Sequence, residues 1–387
     1  VIDEAGMADN LTLAAAIEYA VARGASVRLI GDDRQLAAIG AGGVLRDVAA
    51  THGAVRLDEL VRFADPAEAE ASLALRDGDR SALGFYLDND RIHVGDADGC
   101  VAEVFEAWRR ERAGGWDCLM LAPARELVRE LNLRAQAARG TDGPSAPLSD
   151  GCDAHVGDVV ISRRNDRRLG VSGTDWVKNG DRWQVDAVGP DGGLSVRHLA
   201  SRLHATLPAD YVAAHVELGY ASTVHTAQGI TTDVVHGFVT GAEDRQLLYT
   251  MLTRGRVENH AHLVLGSDET HVLPSPTDDR ALTATEVLEG ILARDGAAVS
   301  ATTAQATGAS PEAQLHDAVT RYADAVTLAA SMLRADPEDA GPGPLPWLPG
   351  IPEVVADHPS WGPYLSARAR RATALANEVA LHERLPA

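Results

Sequence analysis

The chain opens with two strand-forming apolar residues, Val1-Ile2, which run straight into two adjacent carboxylates, Asp3-Glu4, and the small pair Ala5-Gly6. From Asn10 to Arg23 the apolar positions Leu13, Ile17, Tyr19, Ala20 and Val21 follow a roughly helical period; Asp9 or Asn10 can cap that helix and Gly24 ends it. Val27-Arg28-Leu29-Ile30 reads as a short buried strand that delivers Gly31-Asp32-Asp33-Arg34-Gln35-Leu36 at its carboxyl end. Strand, helix, strand in that order predicts a parallel sheet with ligands at the strand carboxyl ends. Gly40, Gly42 and Gly43 then allow a tight turn. Further helices are expected over 66–76, 101–112 and 125–139, with a buried strand at Cys118-Leu119-Met120-Leu121-Ala122.

The pattern changes after the Gly/Pro/Ser-rich stretch from Thr141 to Asp150, which reads as a linker. Over 151–215, short alternating runs at Val156–Ile161, Trp183–Val188 and Leu194–Arg197 are separated by Asn-Gly and Pro-Asp-Gly-Gly turn signals, which predicts a small β-barrel or hairpin module. Strands return at Val234–Val239 and His262–Leu265. The tail is expected to hold amphipathic helices over 281–294 and 311–334, a proline-rich linker or extended strap over 336–363, and an Ala/Arg-rich helix over 364–385.

Composition narrows the picture. With 387 residues, 45% hydrophobic and 24% charged, the chain can bury a core in two or three domains. A net charge of −21 argues against nonspecific coating of nucleic acid but leaves room for a local basic groove. Cys100, Cys118 and Cys152 form neither a metal spacing nor a disulfide framework, which with the lack of a signal peptide or membrane-length apolar run predicts a cytoplasmic protein without membrane insertion. Lys178 is the only lysine, and no GxxxxGK(S/T) phosphate loop surrounds it. Because the sequence starts inside an apparent strand, it reads as a piece truncated before its first carboxylate motif, with the phosphate loop expected upstream and the isolated chain expected to be inactive alone.

The chemistry-bearing stretches come in a fixed order. Asp3-Glu4-Ala5-Gly6-Met7 followed by Gly31-Asp32-Asp33-Arg34-Gln35-Leu36 resembles motifs II and III of superfamily 1B DNA helicases, in particular the RecD type and the helicase half of TraI- and TrwC-like conjugative relaxases. Leu57-Asp58-Glu59-Leu60-Val61-Arg62-Phe63 resembles motif IV, with Phe63 where the family commonly has Gln. Gly219-Tyr220-Ala221-Ser222-Thr223-Val224-His225-Thr226-Ala227-Gln228-Gly229 closely resembles motif V, and Leu247–Arg256 resembles motif VI. The resemblance ends near Gly266 and covers roughly two thirds of the chain.

The resemblance implies a fold and a set of roles. The fold class is α/β: two RecA-like parallel-sheet motor domains, the first incomplete, with a small SH3-like β insertion and a helical C-terminal tail. The implied division is 1–55 for the end of the first motor domain and 56–150 with 216–268 for the second. The SH3-like insertion takes 151–215 and the tail 269–387. ATP and Mg²⁺ are the implied cofactors. Asp3 would hold Mg²⁺, Glu4 would polarise the attacking water, and Gln35 would sense the γ-phosphate. Arg62 would touch that phosphate from the second domain, and Arg254 would be the arginine finger with Arg256 as second choice. Gln228 and Gly229 would approach the nucleotide, while Ser222, Thr223 and His225 would lie nearer DNA. Arg163 and Arg164, beside Arg167, Arg168, Trp176 and Trp183, suit a single strand by following phosphates and stacking bases. Single residues also admit plainer readings: Gln35 as a loop amide, Arg62 as a surface ion pair, His225 as a structural imidazole. The implied function is an ATP-dependent 5′-to-3′ helicase fragment, the motor of a conjugative relaxase, with single-stranded DNA and relaxosome or secretion-channel proteins as partners. The competing readings are a non-catalytic single-strand-binding module and a RecD-like repair helicase.

Overall fold

The computed structural model describes residues 1–36, 42–57, 61–265, 282–297, 299–335 and 340–382, in two compact units, Val1–Ala298 and Val299–Ala387. The expectations for Gly40, Asp58-Glu59-Leu60, 266–281, 336–339 and 383–385 lie outside the described residues.

The first unit begins with a minimal parallel pairing. Ile2 bridges Leu29: Ile2 N–H donates to the Arg28 carbonyl and Ile30 N–H to the Ile2 carbonyl, each at 2.9 Å. The expected strands at Val1-Ile2 and Val27–Ile30 shrink to this one bridge, because Val1 and Ile30 remain 82% and 48% exposed with no flanking strand to extend the ladder. Helix α1 (Asn10–Val21) forms between them, capped by Asp9, whose carboxylate accepts the N–H groups of Leu11 and Thr12. Helix α2 (Val44–His52), not foreseen, starts at Gly43, whose φ of 91° suits glycine.

The main body is a five-stranded, wholly parallel sheet. Helices α3 (Pro66–Asp77) and α4 (Ala82–Asp88) lead into β1 (Ile92–Gly95), then α5 (Ala97–Ala113), β2 (Cys118–Ala122) and α6 (Arg125–Arg139). α3 has Asp65 as its cap and Pro66 in its first turn, both favourable starts. α5 begins earlier than the apolar period indicates because Asp96 caps it at the Gly99 N–H. β3 (Ser145–Pro147) pairs antiparallel with β4 (Asp153–His155), so part of the expected linker is paired strand rather than free spacer. The barrel strands follow: β5 (Val159–Ser162), β6 (Asp166–Gly170), β7 (Trp176–Val177), β8 (Arg182–Val188), β9 (Leu194–His198) and β10 (His204–Leu207). Helix α7 (Ala209–His215) and β11 (Val216–Leu218) return the chain to the main sheet through β12 (Ala221–Thr223), β13 (Thr232–Val239), α8 (Arg245–Met251) and β14 (Gly255–Val264); α9 (Ala284–Ala293) completes the unit. β14 is longer than the expected 262–265 because its amino half also pairs with β13.

The parallel sheet runs in the order β1-β14-β13-β2-β12, and the barrel sheet β10-β9-β8-β5-β11 is antiparallel. β2 is buried at every position, as a central parallel strand covered on both faces requires. One face packs on α5 and α6 through Cys100, Val104, Trp108 and Leu131; the other packs on α3, α4, α8 and α9 through Leu75, Tyr86, Leu248, Met251 and Leu288. The period-two alternation of β14 divides its side chains between them: Asn259, Ala261 and Leu263 turn one way, His260 and His262 the other.

The second unit is helical. α10 (Ala301–Gly308) precedes the long α11 (Pro311–Leu333); a short α12 (Glu353–Ala356) and α13 (Trp361–His382) complete it. Tyr322, Ala329, Leu348, Val355, Leu365 and Ala372 share one core, and the Tyr322 hydroxyl donates to the Pro349 carbonyl at 2.8 Å. The expected linker or strap over 336–363 is therefore in part packed structure: it supplies Leu348 and Val355 to the core, contains α12, and ends where α13 starts at Trp361 rather than Tyr364.

Candidate functional site

The Ile2–Leu29 bridge sets two chemically loaded loops side by side. Ala5 N–H donates to the Ile30 carbonyl at 2.8 Å, so Asp3-Glu4 and Gly31-Asp32 leave the same edge. A Cβ on Gly31 would stand 3.0 Å from Ala5 N and 3.1 Å from Gly6 N, which is why glycine suits this approach. Glu4 adopts the left-handed region, φ 51° and ψ 40°, a conformation costing about 1–2 kcal/mol for a residue with a Cβ. Strain of that kind is characteristic of residues held for a purpose beyond packing.

Asp32 is the hub of this edge. Its carboxylate accepts Arg34 N–H and Gln35 Nε2–H, both at 3.0 Å, and the Tyr249 hydroxyl at 3.2 Å. Tyr249 lies on α8, so the hydrogen bond joins the opening loops to the segment that carries Arg254. A second link comes from Gln228, whose Nε2–H donates to the Leu36 carbonyl at 3.4 Å. Burial and the negative charge of Asp32 push the Tyr249 hydroxyl above its ordinary range, so it stays protonated and donates.

Two arginines face these carboxylates. Arg254 is 1% exposed; its Nε–H donates to the Thr250 carbonyl at 2.9 Å and its Nη2–H to the Thr253 hydroxyl at 2.8 Å. Arg62 donates to the Thr253 carbonyl. Burial lowers the Arg254 guanidinium to about 10 and the like charge of Arg62 adds to this, while Tyr249, Glu4 and Asp32 act against it. Arg62 is also lowered by burial, against Tyr249 and Glu4. Neither guanidinium forms an ion pair among the described residues, since both donate to neutral oxygens. One buried and one partly buried cation side by side, neither bonded to a carboxylate among the described residues, favour a polyanion. The residues present therefore fit a nucleotide phosphate. No group of three or more His, Cys, Asp or Glu side chains among the described residues is arranged to hold a metal on its own. That suits Mg²⁺, which is held by one or two carboxylates together with substrate phosphates and water.

The structure thus gathers Glu4, Gln35, Arg62, Gln228 and Arg254 around Asp32 and Tyr249. Asp3 stands beside them, exposed, its carboxylate accepting Glu4 N–H at 3.0 Å. A pocket lined by Ala5, Gly6, Asp32, Gln35, Gly43 and Arg46 opens on the carboxylate side; Arg62 and Arg254 do not line it. Gly229, with φ 80°, turns the chain after Gln228. Arg256 points away to Asp233 at 2.5 Å and its side chain is 60% exposed.

Ser222, Thr223 and His225 form a separate group at the carboxyl end of β12. Ser222 and Thr223 each share a hydrogen bond with the Thr226 hydroxyl at 2.7 Å, and His225 opens the short 3-10 turn. Arg163 and Arg164 lie on the barrel, where Arg163 pairs with Glu217 at 2.6 Å and Arg164 bonds the His215 ring at 3.0 Å. Arg167 stacks over Trp176 at 4.9 Å on the β6–β7 hairpin.

The helix bearing Asn132 resembles the start of the second motor domain, but the partners that hold these groups in place appear only in the fold. Asn132 on α6 accepts Tyr220 N–H and Ala221 N–H at 3.0 and 2.8 Å and donates to the Ala221 carbonyl at 3.2 Å, acting as an extra strand edge for β12. Asp158, fully buried, accepts from the Tyr220 hydroxyl at 2.6 Å, Gln136 at 2.7 Å and Arg139 at 2.9 Å. Arg182 runs from the barrel into the parallel sheet, donating to the Cys118 carbonyl at 3.1 Å and pairing with Asp117 at 3.1 Å. An Asn in a helix and an Asp after a turn look ordinary in sequence; only the fold makes them clamps.

A parallel sheet covered on both faces thus carries Arg254 and Arg62 near the paired carboxylates of the opening loops. Residues 1–97 match the family described as AAA domain, 148–217 the Rv2311 SH3-like barrel domain, and 218–259 the UvrD-like helicase C-terminal domain. The conjugal transfer protein TraA of Agrobacterium fabrum is 32% identical over 266 residues, 66% of this chain and 24% of TraA. Protein Rv2311 of Mycobacterium tuberculosis is 34% identical over 123 residues, 30% of this chain and 69% of that protein. The ATP-dependent RecD2 DNA helicase of Deinococcus radiodurans is 28% identical over 270 residues, 66% of this chain and 35% of RecD2. Along the matched stretch the chain is similar to superfamily 1B helicases of the RecD and TraI type. It spans about a quarter of the length of the TraA proteins it matches. No helix among the described residues is long and apolar enough to cross a membrane.

Proposed function

We propose that this chain is the working half of an ATP-dependent 5′-to-3′ translocase on single-stranded DNA, the motor portion of a conjugative relaxase. The observation that carries the reading is that Arg254, buried, and Arg62, partly buried, both bonded to neutral oxygens, lie near the carboxylates of Glu4 and Asp32. Bound nucleotide with Mg²⁺ supplies the transferable phosphate and the metal that neutralises its charge. Asp3 holds the metal and Glu4 orients the attacking water. Gln35 and Gln228 sit at the phosphate end as neutral amides, with Gly229 letting the backbone approach. Arg62 and Arg254 meet the charge that develops, and Arg256 is the reserve cation. Ser222, Thr223 and His225, with Arg163 and Arg164 on the barrel, take the DNA strand. The corresponding division is 1–55 and 56–150 with 216–268 for the two motor portions, 151–215 for the barrel and 269–387 for the tail. The tail is the natural site for relaxosome or secretion-channel contacts, and the TraA relatives favour conjugative transfer over repair.

The test joins this chain to a helicase segment bearing a GxxxxGK(S/T) loop. The expected result is ATP hydrolysis stimulated by oligo-dT. Arg254→Ala should lower it by about 10³-fold, in line with removal of an arginine finger, while oligo-dT affinity stays within about threefold. A joined protein that binds oligo-dT but never hydrolyses ATP overturns the motor and leaves the strand-binding module. Loss of DNA binding in Arg254→Ala means that this arginine serves the strand.

A further inference from the structure

Glu68 lies in the first turn of α3, fully buried and unused by the chemistry above. Its Oε1 accepts Asn259 Nδ2–H at 2.8 Å. Asn259, also fully buried, accepts Gly255 N–H on Oδ1 at 2.7 Å and donates from Nδ2 to the Gly255 carbonyl at 3.0 Å. Gly255 directly follows Arg254. A Cβ there would lie 2.4 Å from the Glu258 carbonyl and 2.8 Å from Asn259 Oδ1, so the turn closes only around glycine. Neighbouring backbone groups are tied down as well: Ala64 N–H donates to the Arg256 carbonyl at 2.7 Å and Thr232 N–H to the Arg254 carbonyl at 3.1 Å. The Glu68–Asn259 pair is thus the side-chain half of a latch on the turn that carries the buried arginine.

We propose that Glu68 is a positioning residue for Arg254, acting through Asn259 to fix the Gly255 turn that aims the guanidinium into the cleft. The inference rests on the motor reading only in what Arg254 acts upon; the latch itself is a property of this chain. The groups facing Glu68 are Asp65 on its own helix, Tyr86 on α4, Arg91 before β1, and Glu258 with Asn259 on β14. Burial pushes the Glu68 carboxyl up to about 7; the Asn259 hydrogen bond and Arg91 oppose this, while Asp65 and Glu258 reinforce it. Among the described residues its Oε2 and the Tyr86 hydroxyl are buried without hydrogen-bond partners, which a neutral carboxyl tolerates far better than an ionised one. Near neutral pH the latch therefore loosens as pH rises.

Glu68→Met removes the acceptor and keeps the volume; Glu68→Gln keeps an oxygen for Asn259 and removes the ionisation. In this chain, hydrogen exchange at the Gly255 amide should rise about tenfold in Glu68→Met and in Asn259→Ala but not in Glu68→Gln. In the joined protein, Glu68→Met should lower kcat about tenfold with nucleotide KM and oligo-dT affinity within about threefold. Adding Asn259→Ala to it should cost no more, because the two act as one unit. Glu68→Gln should recover most of the lost turnover, and its kcat should exceed wild type increasingly from pH 6 to 8. Unchanged Gly255 exchange in Glu68→Met overturns the inference, as does an additive double variant. If the joined protein shows no ATP hydrolysis, the motor reading fails while the exchange measurement still decides the latch.

Discussion

The two faces of the parallel sheet bury ionisable groups in opposite ways. On the α3 face stands the buried carboxyl of Glu68, pushed up to about 7 by its surroundings. On the α5 face stand four imidazoles, His93, His236, His260 and His262, stacked across β1, β14 and β13 with ring centroids 4.6 to 5.4 Å apart. His93 and His236 each meet a β14 histidine, at 3.1 and 3.2 Å between ring nitrogens. Burial first, and the neighbouring rings next, lower His236 and His262, the latter to about 3; burial lowers His260 although Glu258 opposes it. Glu103 on α5 approaches His93 and His262 at 3.6 Å without reversing this. Both faces are built for neutrality, yet one needs its proton and the other must lack it. The sheet is therefore stable in a window whose two edges belong to opposite faces.

The acid edge should show the largest effect. For a group whose folded pKa is depressed from 6.5 to about 3, the unfolded chain takes up the proton first. The stabilisation is thus complete above pH 6.5 and falls away as pH drops. Between pH 6.5 and 4, His262 alone should withdraw about 3 kcal/mol, with His236 and His260 adding in the same direction. Hydrogen exchange of β14 amides against pH measures it, and a flat profile across that interval breaks the comparison on the α5 face.

The alkaline edge should be slightly smaller. Glu68 is raised from 4.5 to about 7, so the folded chain holds the proton longer. Its contribution is complete below pH 4.5 and is lost as pH climbs through 7. Against wild type, Glu68→Gln should gain about 2 kcal/mol by pH 8 and nothing at pH 4.5, read by the same exchange experiment. The smallest effect sharpens the contrast. Arg109 pairs with Glu106 at 2.6 Å in the open, with side chains 61% and 53% exposed. Arg109→Ala should change stability by less than about 0.5 kcal/mol at every pH, because solvent already screens that pair.

How much of this was legible in the sequence depends on distance along the chain. Asp3, Glu4, Gln35 and Arg254 could be named as candidates because each sits in a contiguous run that resembles a helicase motif. The strand, helix, strand order of the opening segment announced parallel pairing, and the unbroken apolar run of β2 announced a buried strand. The Ile2 and Leu29 segments look like strands but lack neighbours to extend them, and tertiary context overruled their pattern. Asp32 and Tyr249 sit inside quoted motifs, yet only the fold joins them across 217 positions. Glu68 and Asn259 are 191 positions apart and lie in otherwise ordinary elements. His260-Ala261-His262 does announce two rings on one face, but the alignment with His93 and His236 exists only in the register of three strands.

Only Gly219 and Tyr220 stand between barrel strand β11 and sheet strand β12, and both are held: a Cβ on Gly219 would lie 2.9 Å from the Val160 carbonyl carbon, and the Tyr220 hydroxyl is anchored on Asp158. So short and so fastened a coupling cannot swivel like a ball joint. Any turn of the barrel is therefore handed to Ser222 and Thr223, as a tiller moves the blade to which it is fixed.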